Sequence, residues 1–182
     1  MNQRTCCFTG HRLQKLPFRF NEMDPRCLKL KKVLASEIER LITEEDISHF
    51  ISGMAIGVDM FAAEAVLKLK RKHRGTTLEA AIPCDNQDAK WTEPLRIRYQ
   101  KLLEKCDRTT QTEKHYTADC MHKRNRYMVD SSDYVIAVWD GSPSGTGVTV
   151  RYAMEKKRKL TVIHPFTMEV QYYNYGGSDA AL

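Results

Sequence analysis

Apolar positions along the chain follow two periods in turn. Short β-favouring runs at Thr5–Thr9, Ile47–Ile51, Leu78–Ile82 and Tyr134–Trp139 read as buried strands, with weaker or shorter ones at Arg108–Thr112 and Leu160–Ile163. Between them the spacing turns helical. Asp24-Pro25 supplies a cap and a first-turn proline, after which Leu30, Val33, Leu34, Ile38, Leu41 and Ile42 mark one face. Val58, Phe61, Ala62, Ala65, Val66 and Leu69 mark a second helix. Further helices are predicted over Pro94–Glu104, with Leu95, Leu102 and Leu103 inward, and over Met121–Asp130 and Thr146–Lys157.

Strands alternating with helices imply a mostly parallel sheet with helices on both faces, because parallel neighbours need crossovers. The predicted class is therefore an α/β three-layer sandwich of Rossmann-like type over residues 1–165. The tail, 166–182, leaves the pattern at Tyr172, Tyr173, Tyr175 and Gly176-Gly177 and reads as a flexible end or a docking segment.

Composition narrows the class. At 182 residues one core is expected, and 42% hydrophobic with 29% charged residues excludes a disordered chain. No apolar run approaches a membrane span and the first residues lack a secretory pattern, so a cytoplasmic protein is expected. The six cysteines show no C-x-x-C pair, and Cys120 with His122 lacks the second pair that a zinc site needs, so no metal is expected. The net charge of +6 makes an anionic partner plausible, although Lys68–Arg74 and Glu155–Lys159 also read as solvated helix ends.

Ligands of parallel sheets sit beyond the carboxyl ends of the strands. Three such ends here carry small or charged residues: Gly10-His11-Arg12, Ser52–Asp59 and Asp140–Thr149. In the last two a helix follows at once, and its first amides can point at an anion. Around Gly145, glycine admits a phosphate to the backbone while Thr146 and Thr149 add hydroxyls; capping accounts for the hydroxyls but not for the glycines. Ser52-Gly53-Met54-Ala55-Ile56-Gly57 departs from G-x-G-x-x-G. Asp59 favours the helix dipole or meets the ligand, and Glu64 faces the groove or solvent. Arg12 can pair with phosphate and His11 can donate or accept. Asn125 can read a base or ribose while Arg124 or Arg126 meets phosphate. Trp91 and Tyr99 either stack on a base or pack in the core.

Together, Gly10-His11-Arg12, Ser52-Gly53-Met54-Ala55-x-Gly57-Val58-Asp59-x-x-Ala62-Ala63-Glu64, Pro83-x-x-x-Gln87-x-x-x-Trp91 and Asn125-Arg126-Tyr127-Met128-Val129-Asp130-x-Ser132-Asp133, continuing through Ala137-Val138-Trp139-Asp140-Gly141 to Gly145-Thr146, resemble the YpsA family. That family lies in the SLOG superfamily with the DNA-processing protein DprA and the Lonely Guy phosphoribohydrolases. The resemblance implies a nucleotide-type ligand over the glycine loops, and links to bacterial cell division and to nucleotide or ADP-ribose-like signals. Lonely Guy enzymes carry a G-G-x-G-T-x-x-E segment whose glutamate serves N-glycosidic cleavage. Here Thr149 follows Gly145-Thr146-Gly147-Val148, so a hydrolase would draw its carboxylate from Asp59, Glu64 or Asp140. Likeness to DprA in the Ser52–Asp59 loop implies another alternative, single-stranded DNA on the basic surface.

The expectation is a ligand sensor or regulator that requires no cofactor and binds NAD, ADP-ribose or a nucleoside monophosphate. Gly10, Gly53, Gly57, Gly145 and Thr146 form the phosphate cradle, Arg12 and Arg126 neutralise charge, and Asp59 or Asp140 contacts ribose or orients water. His11, Ser52, Trp91, Asn125, Gly141 and Thr149 complete the expected contacts. The expected partners are that ligand, a second copy of the chain, and a protein met through the tail. Nucleic acid ranks below them, and no membrane insertion is expected.

Overall fold

A computed structural model describes residues 3–175, so Gly176-Gly177 of the tail lie outside the described residues. Strands β1 (Arg4–Gly10), β2 (Ile47–Ser52), β3 (Thr77–Ile82), β4 (Arg108–Gln111), β5 (Tyr134–Val138), β6 (Lys159–Ile163) and β7 (Val170–Tyr173) form one sheet in the order β4-β3-β2-β1-β5-β6-β7. Helices α1 (Pro25–Glu44), α2 (Val58–Leu69), α3 (Glu93–Leu103), α4 (Cys120–Asp130) and α5 (Gly145–Glu155) connect them. All strand pairs but the last are parallel.

Both faces of the sheet are covered, as a parallel sheet requires. Leu30, Leu34, Ile38 and Leu41 of α1, Phe61 and Val66 of α2 and Leu102 of α3 pack with Phe8, Phe50, Leu78 and Ile136 of the sheet. The rings of Phe8 and Phe50 stack with centroids 5.9 Å apart. Met128 and Val129 of α4 and Val150 and Ala153 of α5 pack on Cys7, Ile51, Ala81, Val135 and Ala137 of the opposite face. Each fully buried leucine contributes about 2 kcal/mol by leaving water. α1 starts where the sequence places it: Asp24 accepts the Arg26 amide at 2.8 Å, with Pro25 at the first position.

One polar cluster interrupts the apolar packing under α4. Glu79 of β3 is 1% exposed and meets His49 Nε2 at 3.0 Å and the Tyr127 hydroxyl at 2.6 Å. Burial opposes its charge, but hydrogen bonds from His49, Tyr127 and Thr110, with the charge of Arg108, bring the carboxyl down to about 2.

Part of the tail docks on the chain's own sheet. β7 pairs antiparallel with β6, Val170 opposite Ile163 and Tyr173 opposite Leu160, and the Tyr172 hydroxyl donates to Glu37 at 2.9 Å. Val-Gln-Tyr-Tyr offers neither a continuous apolar run nor sustained alternation, so the pairing with β6 reveals this strand. No helix among the described residues is long and apolar enough to cross a membrane.

Candidate ligand-binding site

The order of the strands creates the site. From β1 the chain steps outward through β2, β3 and β4, then returns to the other flank of β1 for β5 and β6. Gly10 ends β1 directly opposite Val138, which ends β5. The helices that follow these strands lie on opposite faces, so a crevice opens beyond the two strand ends. It encloses about 380 Å³, between the 10–15 loop, the start of α2, one side of α4 and the start of α5.

The first turn of α5 forms one wall. Ser144 Oγ accepts the Gly147 amide at 3.1 Å and Ser144 O accepts the Val148 amide at 3.0 Å. The amides of Gly145 and Thr146 find no acceptor among the described residues. A Cβ placed on Gly145 would meet nothing within 4 Å, so packing does not demand glycine there. Gly145 and Thr146 both line the crevice, at the end of the helix whose amides suit an anion. Asn125 Nδ2 donates to Thr149 Oγ1 at 3.0 Å, and Thr149 Oγ1 donates to Gly145 O at 3.1 Å, bracing this turn against α4.

The β2–α2 turn is built differently. Ser52 is fully buried; its hydroxyl donates to Asp59 O at 2.8 Å and accepts the Met54 amide at 3.1 Å. The Asp59 carboxylate accepts the Ala55 amide at 3.3 Å. This turn therefore holds the chain's own carboxylate. Gly57 caps α2 with φ +112°, and a Cβ there would stand 2.9 Å from His11 O. The Gly53 carbonyl accepts from the Arg124 guanidinium, which also donates to Ala81 O at 3.3 Å. Burial pushes the Asp59 carboxyl up against the opposing charge of Arg124. Burial likewise pushes the Arg124 guanidinium down against Asp59.

At the base of the crevice His11, 2% exposed, places Nε2 2.9 Å from Asp140 Oδ1, which also accepts the Ser142 amide at 3.0 Å. Partial burial works against the Asp140 charge, yet the hydrogen bonds from Ser142 and His11 hold its carboxyl well below the usual range. Arg12 and Lys15 stand exposed on the rim without a carboxylate partner among the described residues.

The sequence pattern of the YspA SLOG family matches residues 6–171. The chain belongs to this family. Among its relatives it is 34% identical over 167 residues to the SPbeta prophage-derived protein YoqJ of Bacillus subtilis, covering 82% of this chain and 98% of YoqJ. It is 24% identical to YpsA of the same species over 158 residues, 86% of this chain and 87% of YpsA. Among solved structures it resembles DNA processing protein A (DprA) of Streptococcus pneumoniae, with TM-score 0.59 and 18% identity over 89% of this chain and 50% of that one. It also resembles DprA of Helicobacter pylori, a structure concerned with that protein's single-stranded DNA binding mode, with TM-score 0.58 and 18% identity over 87% and 64%. The chain thus spans half to just under two thirds of the DprA chains, and the likeness concerns the fold.

In this SLOG domain the crevice brings together Gly10, His11, Arg12, Asp59, Asn125, Gly145 and Thr146. Ser52, Gly53, Gly57, Asp140 and Thr149 stand behind or beside that lining, as the packed framework described above. Four expected residues lie elsewhere. Glu64 pairs with Arg98 at 2.7 and 2.9 Å on the outer side of α2. Trp91 meets Tyr99 edge-on at 5.2 Å and packs on the main core. Arg126 lies over the Tyr152 ring at 5.3 Å. Gly141 forms an exposed turn at φ +85°. The α4 cation in the crevice is Arg124, with Met121, Asn125 and Met128 on the same side. Those positions follow i, i+3, i+4, i+7 spacing, a signal present in the sequence, and Arg126 falls off that face. Lys15, His122 and Ser144 also line the crevice without having been expected.

Proposed function

We propose that this protein binds a nucleotide-type ligand in the crevice and acts as a ligand sensor or regulator. One observation carries the reading: the amides of Gly145 and Thr146, two residues lining the crevice at a topological switch point, have no acceptor among the described residues. A phosphate there would be neutralised from the rim by Arg12 and Lys15. Asn125 and Asp59 would meet the ribose or base. The candidate ligands are NAD, ADP-ribose and nucleoside monophosphates.

Single-stranded DNA is the second reading, favoured by the fold shared with DprA. Against it, Phe8 is the one Phe, Tyr or Trp along the crevice among the described residues, and it is fully buried, so bases find no stacking platform.

Thermal shift with NAD, ADP-ribose, AMP, cyclic nucleotides and a thymidine oligonucleotide tests both readings. A nucleotide at about 100 times its Kd stabilises the fold by roughly 2.7 kcal/mol and tolerates moderate salt. A shift from the oligonucleotide alone, lost steeply as salt rises, would replace the small-ligand reading with the DNA one. Base release assayed in the same mixtures separates a sensor from an N-glycosidic hydrolase, for which Asp59 is the carboxylate on the crevice wall. Light scattering with and without nucleotide tests the homodimer.

A further inference from the structure

A second and larger depression, about 740 Å³, lies between the carboxyl-terminal half of α2 and the length of α3. Its rim carries Lys68, Arg71, Lys101 and Lys105, all exposed and none with a carboxylate partner among the described residues. Nearby lysines do find partners: Lys70 pairs with Asp107, and Lys72 with Glu39 at 2.6 Å. The groove's own Arg98 is neutralised by Glu64 and Glu22. Four cations thus face the groove with their charge uncompensated. The floor is apolar, formed by Leu67, Leu102 and Ile97, the last 47% exposed.

We propose that this groove docks an acidic amphipathic helix from a partner protein. An apolar floor between cationic rims is the complement of a helix with apolar anchors at i, i+4 and i+7 flanked by carboxylates. The rim lysines would steer such a partner and fix its register, while Ile97 would lose its remaining water. Nucleic acid fits less well. No aromatic ring lines the groove, and a phosphate backbone gains nothing from an exposed isoleucine. The groove shares no lining residue with the crevice, so the proposal is independent of what the crevice binds.

The test uses the full chain and a fluorescein-labelled helical peptide of about 14 residues, roughly 21 Å long, with leucines at i, i+4 and i+7 and glutamates flanking them. Anisotropy is read at near-physiological salt, beside a scrambled peptide of the same composition and a thymidine oligonucleotide of matched charge. The patterned peptide is expected to bind at least about tenfold more tightly than the scrambled one. Lys68→Gln/Lys101→Gln should weaken it about tenfold, and Ile97→Ser several-fold, with the melting temperature of each variant held within about 3 °C. Equal binding of the two peptides, binding of neither, or affinity unchanged in both variants overturns the proposal. An oligonucleotide that outcompetes the peptide and loses affinity in Lys68→Gln/Lys101→Gln would assign the groove to nucleic acid instead.

Discussion

His11 Nε2 lies 2.9 Å from Asp140 Oδ1, tying the loop that leaves β1 to the loop that leaves β5. The bond spans the point where the sheet changes direction, so it holds the crevice walls at a set separation. Asp140→Asn keeps the shape but removes the charge, and should lower the unfolding free energy at pH 7 by about 1 kcal/mol. The folded-state carboxyl is depressed. Its contribution is therefore present above the unfolded value near pH 4 and is lost as pH falls toward the lowered one. Urea titrations should show the gap between wild type and Asp140→Asn narrowing below about pH 4.

Gly145 and Gly53 are both glycines of strand-to-helix turns, but only one has room. A Cβ on Gly145 meets nothing, whereas on Gly53 it would stand 2.6 Å from Arg124 Cζ. Gly145→Asp should leave the melting temperature close to wild type, since an acid at a helix start suits the dipole, and should reduce AMP or ADP-ribose affinity at least about tenfold by calorimetry. Gly53→Ala should cost about 1 to 3 kcal/mol in chemical unfolding, because the guanidinium must move. Nucleotide affinity surviving Gly145→Asp would remove the phosphate from α5.

Arg124 and Arg126 differ in what they touch. Arg124→Ala leaves the Asp59 carboxylate buried without its counter-charge and takes a donor from the carbonyls of Gly53 and Ala81. A loss of about 3 kcal/mol or more is expected, with weakened ligand binding. Arg126→Ala, at an exposed site over Tyr152, should change stability by less than about 0.5 kcal/mol and leave ligand affinity unaltered. Paired denaturation and binding curves compare them.

Glu79 reports on the sheet face beneath α4. With its carboxyl down at about 2, Glu79→Gln should cost on the order of 2 kcal/mol at neutral pH. The cost should shrink as pH falls from about 4 toward 2, where the wild-type group takes up its proton. A difference constant over that range would show that shape, not charge, holds the cluster with His49 and Tyr127.

Sequence alone places the first six strands and the five helices in order, because each of these has a local cause: apolar runs closed by Gly10 or Pro83, a cap at Asp24-Pro25, helical spacing from Leu30 to Ile42. It also determined that the loops after β1, β2 and β5 would share one end of the sheet, since parallel strands point the same way. Tertiary structure decided what each loop residue does. Gly53 and Gly57 read as cradle residues by type, but their neighbours are Arg124 and His11, which come from other parts of the chain, and Ser52 is turned inward onto Asp59 of its own loop. Arg124 and Arg126 are indistinguishable by type and are separated by which side of α4 meets the sheet. The strand at 170–173 needed β6 as its partner. Local physics sets elements within a few residues, while charge pairing, close approach and burial depend on residues tens of positions away.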